Sequence, residues 1–417
     1  MTVPIRIVLV AAVLGLSGAL VAVFPHSVIA FLAFQASLLV IFKSGIPERA
    51  RWILFAVALL GVMPIIGTYN GYYLEVATQV CIFVALALGL NIVVGLAGLL
   101  DLGYVAFYAV GAYSWAIFGS PQANEIFGHG FPLNPIWFFA FIVVGLIVAA
   151  MAGVTLGLPV LRIRGDYLAI VTLGFGEVIR VLANNLDKPI NITNGPRGIT
   201  PIGRPPLPAG LDYSHFFYYL VLGLVMVVIL VSRRLEDSHI GRGWEAIRED
   251  EVAAQAMGVP LVKMKLLAFA CGASFAGVMG VVFSAKQVYI NPESFTFLES
   301  IGVLSMVILG GMGSIPGVVL GAAAVTVLNL QVLKSLSLWL NELKNAGVTV
   351  LGYNLANLPT QLEPAKYERA VFGIILVLMM IFRPQGILPA RRRQRELSRK
   401  KTAAPTAPAS PSEVAAP

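Results

Sequence analysis

An all-α chain threaded through a bilayer by about 12 transmembrane helices is the fold class that this sequence predicts. Composition is the first observation behind it: of 417 residues 58% are hydrophobic and 12% charged, where a globular protein carries about 25% charged residues. The second is a mean hydropathy of +0.84. The third is punctuation, since apolar runs of spanning length alternate with short polar or Gly/Pro-rich joints.

A spanning helix needs about 20 apolar residues, at about 1.5 Å of rise each, to cross the hydrocarbon layer. From Ile7 to Phe42 nothing carries a formal charge, too long a run for one crossing, and Pro25-His26-Ser27 divides it into two spans. The first is not read as a signal peptide, because its basic flank is weak, no small-residue cleavage site follows, and further spans come at once. After the basic loop Lys43 to Arg51, Trp52 to Gly67 makes the third span and Glu75 to Gly95 the fourth. A small-residue turn, Gly95 to Gly103, leads into a fifth, Tyr104 to Gly119, and Asn134 to Leu158 is the sixth. Arg162 to Asp166 is a basic hinge into the seventh, Tyr167 to Ala183, which holds Glu177 and Arg180. The Gly- and Pro-rich loop Asn184 to Asp212 precedes the eighth, Tyr213 to Val231, and Leu266 to Ala285 is the ninth. Gly310-Gly-Met-Gly-Ser314 splits Ser300 to Leu333 into a tenth and an eleventh, and Arg369 and Arg383 bracket the twelfth. Trp115, Trp137, Trp339 and Trp52 fall near span ends and read as interfacial anchors.

The net charge of +8 raises the question of a nucleic-acid partner, and placement answers it. Seven of the 29 Lys and Arg lie between Arg391 and Lys401, just after the last span, as a membrane-proximal anchor would have them. An even number of spans puts both termini on one side, and 20 of the 29 basic residues then fall on that side, so termini and the polar loop 232–265 are expected in the cytoplasm. The segment 390–417 reads as a basic, then disordered, Ala/Pro/Ser-rich tail. Cys81 and Cys271 lie in apolar runs and the four histidines are scattered, so no disulfide, metal site, catalytic residue or cofactor is expected.

Polar residues among so much apolar sequence are the candidates for function. The interval Ser232 to Lys265 is the longest charged run between spans, and within it good helix formers from Glu245 to Met257 end at Gly258 and Pro260. That helix is either presented to a soluble partner or rests on lipid headgroups. Glu177 and Arg180, three residues apart, share a helical face and either pair with each other or meet the ammonium and carboxylate of a zwitterion. Asp101 and Ser314 precede helices as N-caps, or their turns re-enter the membrane and aim helix N-termini at an anion. The turns Gly95 to Gly103 and Gly310 to Gly317, each followed by a small-residue helix, suggest an internal duplication.

Four motifs together resemble LivM-type permeases, the membrane subunits of ATP-binding cassette importers for branched-chain amino acids. They are Gly95-Leu-Ala-Gly98 with Gly111-Ala-Tyr113, the run Leu161 to Arg180, the run Gly241 to Gly258, and Gly310-Gly-Met-Gly-Ser314. The resemblance covers residues 71–389 as a permease domain, with 1–70 as additional N-terminal transmembrane helices. It implies a bacterial plasma (inner) membrane location and a second homologous permease in a heterodimer. It also implies two cytoplasmic ATPase subunits and an external substrate-binding protein. Carried onto this chain, Trp244, Glu245, Ala246, Arg248, Glu251, Ala253, Ala254 and Gly258 fall in the ATPase-coupling segment. Thr172, Gly174, Glu177, Arg180, Asp101 and Ser314 are candidates for the translocation pathway. The chain holds no Gly-x-x-x-x-Gly-Lys-Ser/Thr phosphate loop, so any ATP hydrolysis belongs to partners. Two other functions stay open at this point: an ion-coupled carrier or channel using Glu177 as the coupling residue, and an importer whose cargo is urea or a short amide.

Overall fold

Backbone amides that meet no water must bond within their own segment, and the apolar runs of the described chain are accordingly helical. The computed structural model describes residues 3–24, 27–43, 46–160, 166–208 and 210–345, with short pieces between 349 and 388. Its helices are α1 Val3–Val23, α2 Val28–Lys43, α3 Glu48–Val57, α4 Met63–Tyr69, α5 Gly71–Leu90, α6 Val105–Phe118, α7 Asn124–Phe127 and α8 Trp137–Val160. Then follow α9 Asp166–Asn185, α10 Tyr213–Asp237, α11 His239–Glu249, α12 Glu251–Ala256, α13 Leu261–Gln287, α14 Phe297–Gly310, α15 Ile315–Val327 and α16 Lys334–Asn345. Wider π-helical turns at Ala58–Val62, Asn91–Leu96 and Leu328–Leu333 join α3 to α4, extend α5 and continue α15 into α16.

Nine helices among the described residues are long and apolar enough to cross a membrane, and two shorter apolar ones, Ile29–Leu38 and Val105–Phe118, accompany them. Most of the hinge Arg162 to Asp166 and the tail from 390 lie outside the described residues, and of the expected twelfth span only scattered helical residues between 370 and 382 are described.

Burial separates the centre of the bundle from its rim. Within their most apolar stretches α5 is 78% and α13 67% buried, against 22% for α8 and α9, whose outward faces carry large apolar side chains such as Val143, Met151 and Ile170. In lipid, apolar area alone does not drive helices together, so close backbone approach has to. Glycines allow it: a Cβ on Gly272 of α13 would stand 2.9 Å from the Gly89 carbonyl of α5, and Gly277 of α13 sits directly on Gly111 of α6 and Gly145 of α8.

Helices α1 to α4 form a second cluster with Tyr73 and Leu74 of α5 and Tyr218 and Leu222 of α10. Phe31 stacks on Tyr73 at 4.3 Å. The π turn in α3–α4 displaces its carbonyls, and α10 collects them: the Tyr218 hydroxyl donates to the Leu59 carbonyl at 2.8 Å and the Tyr219 hydroxyl to Leu60 at 3.2 Å. At one end of the bundle Glu75 of α5 pairs with Lys286 of α13 at 2.6 Å and accepts from Ser214 of α10 at 3.4 Å.

Two sequence expectations change here. Trp115 is no interfacial anchor: it is fully buried, and its indole N–H donates to the Gly203 carbonyl at 2.9 Å, tying the loop 184–212 to α6. The helix expected from Glu245 to Met257 begins earlier, at His239, and breaks at Asp250, whose extended backbone (φ −156°) ends α11 and starts α12.

Candidate functional site: the coupling segment and the charged face of α9

The polar segment after α10 is built by two caps. Ser238 accepts from the Ile240 and Gly241 amides to start α11, and Asp250 accepts from Val252 at 2.8 Å and Ala253 at 3.0 Å to start α12. Gly258, at φ +84°, closes α12 in a left-handed conformation that suits glycine.

The two short helices face different ways. In α11, Trp244 is fully buried with its indole N–H donating to the Met264 carbonyl at 2.8 Å, and Ile247 is buried beside it. Trp244 therefore holds the segment against α13 and offers no free surface to a partner. Glu245 and Ala246 are half-buried. The Arg248 guanidinium turns inward and donates to the Gly95 carbonyl in the turn after α5. In α12, Ala254 is buried but Ala253, Ala256 and Val252 (64% exposed) stand clear, as does Met257 (86% exposed) at its C-terminal cap. Glu251 turns its carboxylate toward the bundle, where it pairs at 2.7 Å with Lys265, whose side chain is 4% exposed.

The other charged site lies on α9. Arg180 binds Glu177 at 2.9 Å and, across to the segment before α14, Glu293 at 2.9 Å. The three groups leave one net negative charge, with the side chains of Glu177 37% and Glu293 59% exposed. None of the three side chains is fully buried, that of Arg180 being 26% exposed. Gly174, one turn earlier, has open space where a side chain would stand.

Thr172 does not line an open path: it is fully buried, donates to the Ala169 carbonyl and accepts from the Leu102 amide at 3.0 Å. It thereby holds the stretch before α6 against the second turn of α9. Asp101 is not the N-cap of α6, since its carboxylate accepts from the Gly103 amide at 2.9 Å and shapes the turn instead. The first amide of α6, at Val105, is taken at 3.1 Å by Ser300 of α14. A small cleft opens here between Leu102, Gly176, Glu177, Thr296 and Ser300. Ser314 caps α15 by accepting from the Gly317 amide at 3.2 Å.

The glycine turns meet in space: the Gly313 amide donates at 2.8 Å to Asn91, 222 residues away in sequence and beside Gly95. Sequence reasoning missed Asn91, Glu293, Ser300 and Lys265. A polar side chain inside an apolar span was the available signal for Asn91; the other three are partners that only chain folding brings near. Among the described residues no group of His, Cys, Asp or Glu is arranged to hold a metal ion.

Residues 72–380 match the family described as "Branched-chain amino acid transport system / permease component". The chain is 39% identical over 348 residues, 78% of its length and 71% of the relative's, to the high-affinity branched-chain amino acid transport system permease protein LivM of Salmonella typhimurium. Identity to the protein of that name from Escherichia coli is also 39%, with the same coverage. A probable LivM of Methanocaldococcus jannaschii is 26% identical over 311 residues, 72% of this chain and 84% of that protein. An autoinducer 2 import permease, LsrC of Klebsiella pneumoniae, is 27% identical over 177 residues, 40% of this chain and 51% of that protein. No solved structure matches.

Proposed function

From its membership of the branched-chain amino acid transport system permease family, in which this chain is a multi-pass, non-catalytic inner-membrane subunit of an ATP-binding cassette importer, we propose that it conducts branched-chain amino acids and takes its power stroke through α12. ATPase and binding-protein partners come with that family, and an ion-coupled carrier working alone is set aside with it.

The observation that supports the power-stroke reading is the contrast between a rooted α11 and an exposed, small-residue apolar tip on α12: Val252, Ala253, Ala256 and Met257. Such a tip matches a groove in a soluble partner, while the buried Trp244 and the Glu251–Lys265 pair carry its displacement into α13. In this reading both termini and α11–α12 are cytoplasmic. The loop 184–212, sewn to α13–α14 by the Ile199–Ile290 bridge, faces the binding protein. A second homologous permease completes the conduit opposite α9, where the Glu177–Arg180–Glu293 face meets the zwitterion. Residues 1–70 are an accessory unit braced on α10, and the family match beginning at residue 72 agrees with that division.

The test is a cysteine at Met257 in the assembled importer, with a partner cysteine in the ATPase groove. Efficient cross-linking together with ATP-dependent leucine uptake is expected. An assembled, active importer in which Met257→Cys stays accessible to a soluble thiol reagent overturns the docking role of α12.

A further inference from the structure

The turns after α5 and after α14 come from opposite ends of the permease sequence, yet they form one unit that the guanidinium of Arg248 enters. Its N–H donates to the Gly95 carbonyl. A Cβ on Gly98 would stand 2.8 Å from the Arg248 side chain, and one on Gly313 would stand 3.1 Å from its guanidinium nitrogen. A Cβ on Gly95 would meet the Gly313 amide at 2.6 Å. Three glycines thus leave a slot shaped for one arginine, two of them, Gly98 (φ +71°) and Gly313 (φ +80°), in backbone conformations that other residues adopt only with strain. Asn91 closes the arrangement by accepting from the Gly313 amide at 2.8 Å, so the two turns move together.

Arg248 as a whole residue is exposed, and water competes for its hydrogen bonds, so its contribution to stability is small. Its position has a different consequence. Covalently, α11 connects only to α10 and, through α12, to α13; the slot gives it a direct attachment to α5–α6 and α14–α15 as well.

We propose that Arg248 is the positioning residue that transmits displacement of α11 to both glycine turns at once, so that the two halves of the permease open in step. This deepens the coupling role proposed for α12 and rests on it. Lysine would keep the charge but present a single ammonium in place of the flat, forked guanidinium that the slot accommodates.

The test uses the assembled importer in proteoliposomes with Arg248→Met and Arg248→Lys, reading three quantities: Met257→Cys cross-linking to the ATPase, ATP hydrolysis, and amino acid transported per ATP. For Arg248→Met the expectation is cross-linking and hydrolysis within about twofold of the parent, with transport per ATP lowered at least tenfold, a loss of coupling energy between sites; Arg248→Lys should recover part of it. A cysteine pair at the partly buried Leu100 and Met312, one in each turn, labelled with spin probes, should show the inter-turn distance changing with nucleotide in the parent and not in Arg248→Met. Unchanged transport per ATP in Arg248→Met overturns the inference. So does loss of cross-linking, which would make Arg248 part of the docking face. Cross-linking absent from the parent as well would instead be a failure of the α12 docking role.

Discussion

The two helices α11 and α12 share one polar segment and each starts from a side-chain cap, yet one is rooted and the other presented. In α11 the largest side chain, Trp244, is fully buried, while Met257, the residue that ends α12, is 86% exposed. The break at Asp250 makes the difference possible: an extended residue between them rotates the apolar face of α12 away from that of α11. An uninterrupted helix would have had one apolar stripe, directed either at the bundle or at a partner, but not at both.

Ranked by effect on folding stability, the sharpest way to break this contrast is at its root. Trp244→Ala removes a fully buried indole and its bond to Met264, and should cost about 3–5 kcal/mol. Thermal unfolding in detergent and recovery of assembled importer both report it, and near-parental stability would mean α11 is not rooted at all. Next comes the pair that fastens α12. Glu251→Ala leaves the nearly buried Lys265 ammonium without its counter-charge and should cost about 1–3 kcal/mol, less than the full penalty for a buried charge because Glu251 is itself partly accessible. Lys265→Met, which removes the buried charge and keeps the packing, should cost less than Glu251→Ala. The reverse order in a melting series would mean that Lys265 is solvated.

A smaller effect belongs to the boundary. Asp250→Ala deletes the cap of α12 and should lower stability by about 1 kcal/mol while raising proteolysis between Glu249 and Ala253. At the presented end, Val252→Asp should leave thermal stability within about 0.5 kcal/mol, as for other surface changes, and weaken ATPase binding. A fall in stability there would place Val252 with the rooted half.

The spans were legible in the sequence because length and hydropathy are local quantities, and the described helices follow the expected runs closely. The stop at Gly258 was legible for the same reason, since a left-handed C-terminal residue has few alternatives to glycine. The inward turn of Trp244 and Arg248 was not. A charge-rich interval reads as uniformly solvated until α13 and the glycine turns are placed beside it. Asp101 misled in the same way: a carboxylate before a helix fits a cap, but Ser300, from another part of the chain, already takes the amide in question.

By itself the sequence determined that this chain lives in lipid, where its joints fall, and that it has no phosphate loop with which to hold ATP, because each of these depends on runs and motifs within a few tens of residues. Tertiary structure alone decided which polar residues meet. Glu293 reaches Arg180, Lys265 holds Glu251, and the glycines of two distant turns receive one arginine. Those pairings span up to more than 200 residues of chain, and inside a bilayer they are specified by helix packing at close quarters, which no local pattern encodes.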